Sequence, residues 1–212
     1  MRVLVVSANM GRTVSNTVVK QKDFDVDFIC YNDTNLPLRK SSFTPRMNAK
    51  IPKMLAWLIN PGYDYYIWMD SYFNMNRDDS VAWFMKNIKG HDALFFQHKQ
   101  RNTIVSEAKF MKDEYDKGNS YIQSRINGEP VCEQADNYVK SGFVDNTLIV
   151  ASSFCYSAEL VKNKEYNVMK EWYFQTCFWS IRDQVSLPYV LQLFNINYKL
   201  SEENVFGLKY LK

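Results

Sequence analysis

Residues 63–73 read YDYYIWMDSYF, and this stretch decides the fold. Its centre, 65–69, is an apolar run without alternation, which is typical of a strand buried on both faces. The run ends at Asp70, Ser71 and Tyr72. Open α/β sheets bind ligands just beyond the carboxyl ends of their strands, and a carboxylate there can also hold a hard divalent cation. Asp70 can equally begin a turn or cap the next element, so this stretch alone leaves both interpretations open.

The composition describes an ordinary globular chain. Its 212 residues are 46% hydrophobic and 23% charged, which is enough for one α/β domain with a real core. A net charge of +3 without a dense basic block gives no indication of a nucleic-acid partner. The four cysteines are widely spaced, which predicts free thiols in a reducing compartment. No leader and no apolar run of membrane-spanning length is present, so we expect a soluble cytoplasmic domain.

Strand patterns alternate with helix patterns along the chain. Strands are predicted at 2–7, 25–31, 65–69, 92–97 and 143–151, and near 198. Helices are predicted around 51–58 with Pro52 in the first turn, after a cap at Asp79, over 103–126 and 158–180, and from Asp183. This order predicts an α/β fold with a mainly parallel central sheet and helices on both faces. No linker or repeat divides the chain, so we expect 1–212 to be a single domain of a longer parent protein.

Several catalytic motifs are absent from the sequence. No Gly-x-Gly-x-x-Gly follows the first strand, and there is no Gly-Lys-Ser/Thr loop, His-Glu-x-x-His or Gly-x-Ser-x-Gly. With two histidines in all, a zinc site or a histidine triad lacks ligands. We therefore expect the chemistry to depend on carboxylates, a metal ion and backbone positioning.

Two further segments carry candidate binding residues. Arg46 and Lys50 lie near the start of the helix before the Asp70 strand, where they can meet a diphosphate, because helix N-termini favour anions. We expect Lys53, one turn on, to be solvated. His98 and Arg101, followed by Glu107-Ala108, come after the strand at 92–97 and therefore lie at the ligand edge of the sheet, although a histidine there is more often a satisfied polar residue.

Candidate catalytic residues lie in the second half. Arg182, Asp183 and Gln184 together offer a guanidinium fork, an anion and an amide, which suits the binding of sugar hydroxyls. Asp183 can also be a helix N-cap. Asp145 interrupts an apolar strand pattern and is either a paired structural carboxylate or a residue of the cleft.

In this order the motifs resemble GT-A fold glycosyltransferases. Trp68-Met69-Asp70-Ser71 resembles their Asp-x-Asp region. The series Arg46…Lys50, Asp70-Ser71, His98…Arg101…Glu107-Ala108 and Arg182-Asp183-Gln184 resembles a broad family of glycosyltransferase-like proteins in plants and bacteria. The whole chain also resembles the N-terminal glycosyltransferase domain of a multidomain chlorella-virus protein. The resemblance implies a GT-A-like fold, a UDP-sugar donor, a glycan acceptor, and Mn2+ or Mg2+ on the diphosphate.

The resemblance also assigns roles to residues of this sequence. The implied roles are those of a metal or ribose ligand, of contacts to the nucleotide and phosphates, and of residues that hold the sugar or act at the anomeric centre: Asp70; Ala8, Asn9, Asp33, Arg46 and Lys50; Asp183 and Gln184. The residues themselves add further candidates, which are Ser71 and Tyr72 beside Asp70, His98, Arg101 and Arg182 for substrate binding, and Asp145 for catalysis. One departure concerns the metal. The second Asp of Asp-x-Asp is Tyr72 here, and no histidine follows His98, so we expect a metal site that the protein only partly supplies.

The implied reaction transfers glucose or a deoxysugar such as rhamnose to a glycan, with retention favoured, for instance to build a viral capsid glycan in the host cytoplasm. An inverting enzyme needs a base, for which Asp145 and Asp183 are the candidates. Two other functions stay open. The missing second Asp is compatible with a non-catalytic nucleotide-sugar binding module. A nucleotidyltransferase-like phosphate enzyme is also open, although Gly11-Arg12 alone matches a glycine-rich loop poorly.

Overall fold

The computed structural model describes residues 1–11 and 16–212, and these contain a six-stranded sheet. Its strands are β1 Arg2–Ala8, β2 Asp25–Tyr31, β3 Tyr65–Met69, β4 Ala93–Gln97, β5 Ile149–Ser157 and β6 Tyr198–Ser201. Their spatial order is β2-β1-β3-β5-β4-β6. β5 pairs antiparallel with β3 and β4, whereas the other pairs are parallel. The carboxyl ends of β1 to β4 therefore meet at one edge of the sheet, called the carboxyl edge below, where β5 begins.

Helices cover both faces of this sheet. They are α1 Pro45–Ile59, α2 Ser80–Ile88, α3 Ile104–Asp116, α4 Ser120–Ile126, α5 Val131–Lys140, α6 Val168–Phe178 and α7 Asp183–Leu193, with 3-10 turns at Ala158–Val161 and Val205–Gly207. One core cluster joins α1, α6 and α7 to the sheet, and a second joins α2 and the C-terminal segment to the opposite face. A third cluster packs α3, α4 and α5 together. The predicted mostly parallel α/β fold is confirmed.

β3 is a central strand, and both of its faces are buried as the apolar run predicts. Tyr66 and Trp68 belong to the α1 side of the sheet, while Ile67 and Met69 belong to the α2 side. Its neighbours on the two sides are β1 and β5. Because the strand ends at Met69, Asp70 is the first residue beyond the carboxyl edge.

α1 begins earlier than the hydrophobic repeat predicts. The Thr44 hydroxyl accepts a hydrogen bond from the Met47 amide at 3.2 Å, and Pro45 takes the first helical position, where no amide proton is needed. Pro52 is therefore an interior residue, and its prediction as part of the first turn is wrong. The backbone at Leu55 departs from helical geometry (φ −115°, ψ 19°), so the helix is kinked after Pro52.

The predicted strand at 143–151 is also misplaced. The observed strand is Ile149–Ser157, and Asp145 lies in the loop before it. The carboxylate of Asp145 accepts hydrogen bonds from the amides of Ile104 and Val105 at 2.7 and 3.1 Å. Asp145 is thus used at the start of α3, which explains why an acidic residue interrupts the apolar pattern.

Other boundaries differ in smaller ways. Asp79 has the predicted N-cap position of α2, but its carboxylate binds Arg77 at 2.8 Å and makes no capping hydrogen bond. The helical pattern at 103–126 is two helices separated near Gly118, whose φ of +80° favours glycine. The pattern at 158–180 is helical mainly at Val168–Phe178.

All four cysteines are unpaired thiols, as their spacing predicts. Within residues 1–11 and 16–212, no helix combines the length and the apolar character that crossing a bilayer requires.

Candidate active site

Four charged side chains meet where the end of β3 faces α1 and the start of α7. Lys50 Nζ lies 2.5 Å from Asp183 Oδ2, and Lys53 Nζ lies 2.6 Å from the same oxygen. Lys53 Nζ also lies 3.7 Å from Asp70 Oδ1. These four residues are called the lysine–aspartate network below. The fold thus joins three segments that the sequence analysis identified separately.

The local structure fixes each member of the network. Lys50 and Lys53 are three residues apart on α1 and therefore share one side of the helix. Asp183 is the first residue of α7, where a helix favours negative charge. Its carbonyl accepts a hydrogen bond from Trp172 Nε1 at 3.1 Å, which ties the start of α7 to α6. Arg182 has the N-cap position, so the alternative of Asp183 as a simple N-cap is wrong.

Most of the network is buried. The exposed fraction of the side chain is 14% for Lys50, 6% for Lys53 and 7% for Asp183, but 30% for Asp70. Burial opposes ionisation of Asp183, yet the two ammonium groups outweigh it and hold the pKa of this carboxyl well below its usual range. Such a weakly basic carboxylate is poorly suited to act as a general base near neutral pH.

The two lysines respond differently to the same surroundings. Burial lowers the pKa of Lys50 to about 8, although Asp183 opposes that change. Burial also acts to lower the pKa of Lys53, but Asp183 and Asp70 outweigh it, so the net shift is upward. At neutral pH both lysines therefore carry their positive charge.

Asp70 is oriented by its own strand. Its Oδ1 accepts a hydrogen bond from Trp68 Nε1 at 2.8 Å, because side chains two positions apart lie on the same side of a strand. The Tyr72 hydroxyl lies 3.4 Å from Oδ2, and the Asp70 amide donates to the carbonyl of Ser152 at 2.8 Å. Ser71 is the next residue of the same turn. The carboxylate is therefore held at the carboxyl edge with part of its surface open to solvent.

A second charged cluster is centred on Glu107, which is fully buried on α3. Its Oε2 lies 2.5 Å from Arg101 Nε, and its Oε1 lies 2.8 Å from Arg182 Nε. Burial opposes ionisation of Glu107, but the two guanidiniums, Arg182 first, keep the pKa of its carboxyl below the ordinary value. This arginine–glutamate clamp joins the loop after β4 to the start of α7.

His98 supports the clamp. Its Nδ1 accepts hydrogen bonds from the amides of Gln100 and Arg101 at 3.2 and 3.0 Å, and its Nε2 lies 3.3 Å from Arg101 Nη2. Burial lowers the pKa of His98, so the ring is neutral near pH 7. The contacts match the interpretation of His98 as a satisfied polar residue.

α4 brings further positive charge to this region. The Arg125 guanidinium packs over the Tyr121 ring at 3.9 Å and lies within electrostatic range of Arg46, Arg182 and Asp70. Burial lowers the pKa of Arg125. Arg46 donates a hydrogen bond to the carbonyl of Ser124 at 3.0 Å.

Among the described residues in and around the two clusters, positive groups outnumber negative ones. The cations are Arg46, Lys50, Lys53, Arg101, Arg125 and Arg182, and the carboxylates are Asp70, Glu107, Glu129 and Asp183. Glu129 accepts a hydrogen bond from the Ile181 amide at 2.8 Å and lies within electrostatic range of Lys50. An excess of positive charge around a partly exposed carboxylate suits a ligand that carries both phosphate and hydroxyl groups.

The residues predicted near the nucleotide lie at the ends of β1 and β2. Ala8 is the last residue of β1, and Asn9 Nδ2 donates to Asn16 Oδ1 at 2.9 Å. Asp33 accepts hydrogen bonds from the Gly11 amide at 2.6 Å and from Arg39 Nε at 3.1 Å. β1 is the neighbour of β3, so these residues share the carboxyl edge with Asp70. Arg12, which the sequence analysis pairs with Gly11, lies outside the described residues.

Two predicted catalytic residues make contacts with the backbone. Gln184 Nε2 donates to the carbonyl of Ile149 at 3.1 Å, which fixes the amide beside the start of β5. Asp145 caps α3 as described above. The carboxylate of Asp145 has therefore a structural role, and we do not retain it as a candidate base.

The donor set does not fit a metal ion held by the protein. In the part of the chain that the structure describes, no three His, Cys, Asp or Glu side chains are arranged around a common point for a metal. Mg2+ and Mn2+ prefer about six oxygen ligands, and the candidate position offers Asp70 with Lys53 Nζ 3.7 Å from its Oδ1. An ammonium near 4 Å from a cation costs about 4 kcal/mol per unit charge at an intermediate dielectric. The metal at Asp70 stays a prediction.

Sequence reasoning missed several residues of this site. The expectation that Lys53 is solvated is wrong, because its ammonium lies between Asp70 and Asp183. A signal was present, since Arg46, Lys50 and Lys53 are four and three residues apart, the spacing of one helix face. The role of Trp68 and the position of Arg125 have no comparable signal in the sequence.

The α/β fold places the chain in the class of glycosyltransferase-like domains, and a family match supports this. Residues 36–208 match the family described as TOD1/MUCI70, glycosyltransferase-like domain. The chain belongs to this family, which confirms the resemblance to glycosyltransferases.

Three solved structures show a distant likeness to the chain. A glycosyltransferase involved in the glycosylation of the major capsid of PBCV-1, a chlorella virus, has a TM-score of 0.46 at 9% identity, over 94% of this chain and 81% of that one. A197 from STIV has a TM-score of 0.41 at 10% identity, over 95% and 82%. The 4-diphosphocytidyl-2C-methyl-D-erythritol synthase from Anaerococcus prevotii has a TM-score of 0.41 at 9% identity, over 98% and 91%. No curated protein matches the chain.

Proposed function

We propose that this protein transfers a sugar, glucose or a deoxysugar such as rhamnose, from a UDP-sugar donor to a hydroxyl group of a glycan, in the cytoplasm. The family supports sugar transfer. The observation that carries the proposal is the lysine–aspartate network at the carboxyl edge, because it places cations for a diphosphate beside carboxylates for sugar hydroxyls.

In this proposal the donor lies along the carboxyl edge. Its nucleoside contacts the ends of β1 and β2 at Ala8, Asn9 and Asp33. The diphosphate faces the cations of α1 and α4, and the sugar reaches Asp70 and Gln184. The arginine–glutamate clamp holds Arg182 toward the same ligand.

The residues also favour one stereochemical course. During transfer the acceptor oxygen bonds to the anomeric carbon as the bond to the phosphate oxygen breaks, and the surrounding cations stabilise the departing diphosphate. Asp183 has a pKa too low for a good base, and Asp145 caps α3. A phosphate oxygen of the leaving UDP then takes the proton of the acceptor hydroxyl, which is the retaining course.

The test is an assay of UDP release and glycan formation with UDP-glucose and UDP-rhamnose. We expect Asp70→Asn to lower turnover by about a hundredfold, the range typical of a lost transition-state interaction, while the variant still folds. Lys109→Ala is the control, because Lys109 forms an exposed pair with Asp113. Wild-type turnover in Asp70→Asn would contradict the assignment.

The same assay separates the two other functions. A binding module, which the tyrosine at position 72 favours, binds UDP-sugar but never releases UDP. A nucleotidyltransferase instead releases pyrophosphate from a nucleoside triphosphate in the presence of a sugar phosphate.

A further inference from the structure

We propose that Lys50 and Lys53 neutralise the donor diphosphate themselves, so that this site binds nucleoside diphosphates without a divalent cation. The inference deepens the proposed function and rests on it, since it concerns how that site holds its donor.

Lys53 places a positive charge beside the carboxylate that a metal ion at Asp70 would use. Its Nζ is 3.7 Å from Asp70 Oδ1 and 2.6 Å from Asp183 Oδ2. Nζ also lies 5.6 Å from the centroid of the Trp68 ring, and the side chain is 6% exposed. Packing on α1 and two carboxylates therefore hold this ammonium in place, and it competes directly with any second cation at Asp70.

Two of the nearby carboxylate oxygens already have hydrogen-bond or ion-pair partners in the protein. Asp183 Oδ2 already contacts both lysine ammoniums, and Asp70 Oδ1 accepts the Trp68 indole proton. Tyr72, at the second position of the Asp-x-Asp region, contributes a hydroxyl 3.4 Å from Asp70 Oδ2 in place of an anion. A hard cation would thus depend almost entirely on the donor and water for its ligands.

The cations, by contrast, have capacity for an anion. An ammonium carries three N–H donors, and the hydrogen bond of Lys50 to Asp183 uses one of them. Arg125 lies near two like charges, Arg46 and Arg182, and near one carboxylate, Asp70. A diphosphate bound between Arg46, Arg125 and Arg182 relieves the repulsion among these guanidiniums and supplies negative charge to balance the excess of cations. The arrangement performs the charge neutralisation for which a metal would otherwise be needed.

Titration calorimetry with UDP and UDP-glucose tests the inference, using the full chain in EDTA and again with Mn2+. We expect the Kd in EDTA to lie within about threefold of the Kd with Mn2+. We expect Lys50→Met and Lys53→Met each to weaken metal-free binding by about tenfold, as expected for the loss of one charged contact. Lys109→Met is the matched control, because Lys109 is exposed and lies in the pair with Asp113.

The variants need a check of folding, because Lys53 is buried. Thermal unfolding provides it, and where Lys53→Met does not fold, Lys50→Met, the more exposed of the two, decides. Binding that requires Mn2+ overturns the inference and leaves the proposed function standing. Metal-free binding that is unchanged in folded Lys50→Met also overturns the inference. Absence of nucleotide binding under both conditions overturns the proposed function as well.

Discussion

Lys50 Nζ donates a hydrogen bond of 2.5 Å to Asp183 Oδ2 across 133 positions of sequence. This contact joins α1 to α7 over the end of β3, so the charged residues of the candidate site also link three elements of the fold. Loss of charge at this point is therefore expected to affect stability and ligand binding together, and each needs its own measurement.

We predict that Asp183→Asn destabilises the protein by about 3–5 kcal/mol, because it leaves two buried ammonium groups with much weaker compensation. Urea denaturation of the purified protein measures the change. Asp113→Asn is the control, since its exposed pair with Lys109 is worth at most about 1 kcal/mol. The double variant Lys53→Met/Asp183→Asn is expected to recover part of the loss. If Asp183→Asn is as stable as the wild type, the lysine–aspartate network does not contribute to the stability of the fold.

We predict that affinity for UDP-glucose falls as pH rises through about 8, where Lys50 loses its proton. The groups that face Lys50 are Lys53, Asp183, Asp70 and Glu129. Lys50→Arg is expected to remove the fall, because a guanidinium stays charged throughout this range. Calorimetric titrations between pH 7 and about 9 measure the effect.

The pH dependence of the free energy of unfolding shows that this loss of affinity does not come from unfolding. The folded pKa of Lys50, about 8, is below its ordinary 10.5, so between these values the unfolded state binds more protons. The contribution of Lys50 to the free energy of unfolding therefore rises with pH in that interval. A fall in affinity that accompanies unfolding would contradict the assignment to Lys50.

The sequence was sufficient for most of the sheet but only partly for the site. The predicted bounds of β2 and β3 match the observed strands, whereas β5 begins later than predicted. The burial of Lys53 depends on its ion pair with Asp183 at the start of α7, a distant partner that the local spacing does not specify. The prediction of Asp145 as a catalytic candidate also failed to anticipate a distant partner. The amides that its carboxylate caps lie about 40 residues earlier, on α3. Hydrophobic periodicity in the sequence predicts local secondary structure, whereas the partners of an ion pair depend on the tertiary fold.

We predict that Glu107→Gln destabilises the protein by about 3 kcal/mol, because it leaves two partly buried guanidiniums without their shared carboxylate. Weaker donor binding should accompany the loss, since the clamp positions Arg182. Glu159→Gln is the control, because Glu159 pairs with Lys162 on the surface. Chemical denaturation and calorimetry measure the two effects, and unchanged values in both would contradict a positioning role for Glu107.

We predict that Tyr72→Asp strengthens the binding of a divalent cation at the carboxyl edge. Tyr72 is 55% exposed and its hydroxyl lies 3.4 Å from Asp70 Oδ2, so an aspartate at this position brings a second carboxylate to the carboxyl edge. Two adjacent carboxylates favour a hard divalent cation, which competes with Lys53 for Asp70. Electron paramagnetic resonance titration with Mn2+ measures binding directly. Tyr72→Asn is the matched control, because it has the same size as aspartate without the charge. Equal Mn2+ affinity in both variants would show that position 72 does not control the metal requirement of this site.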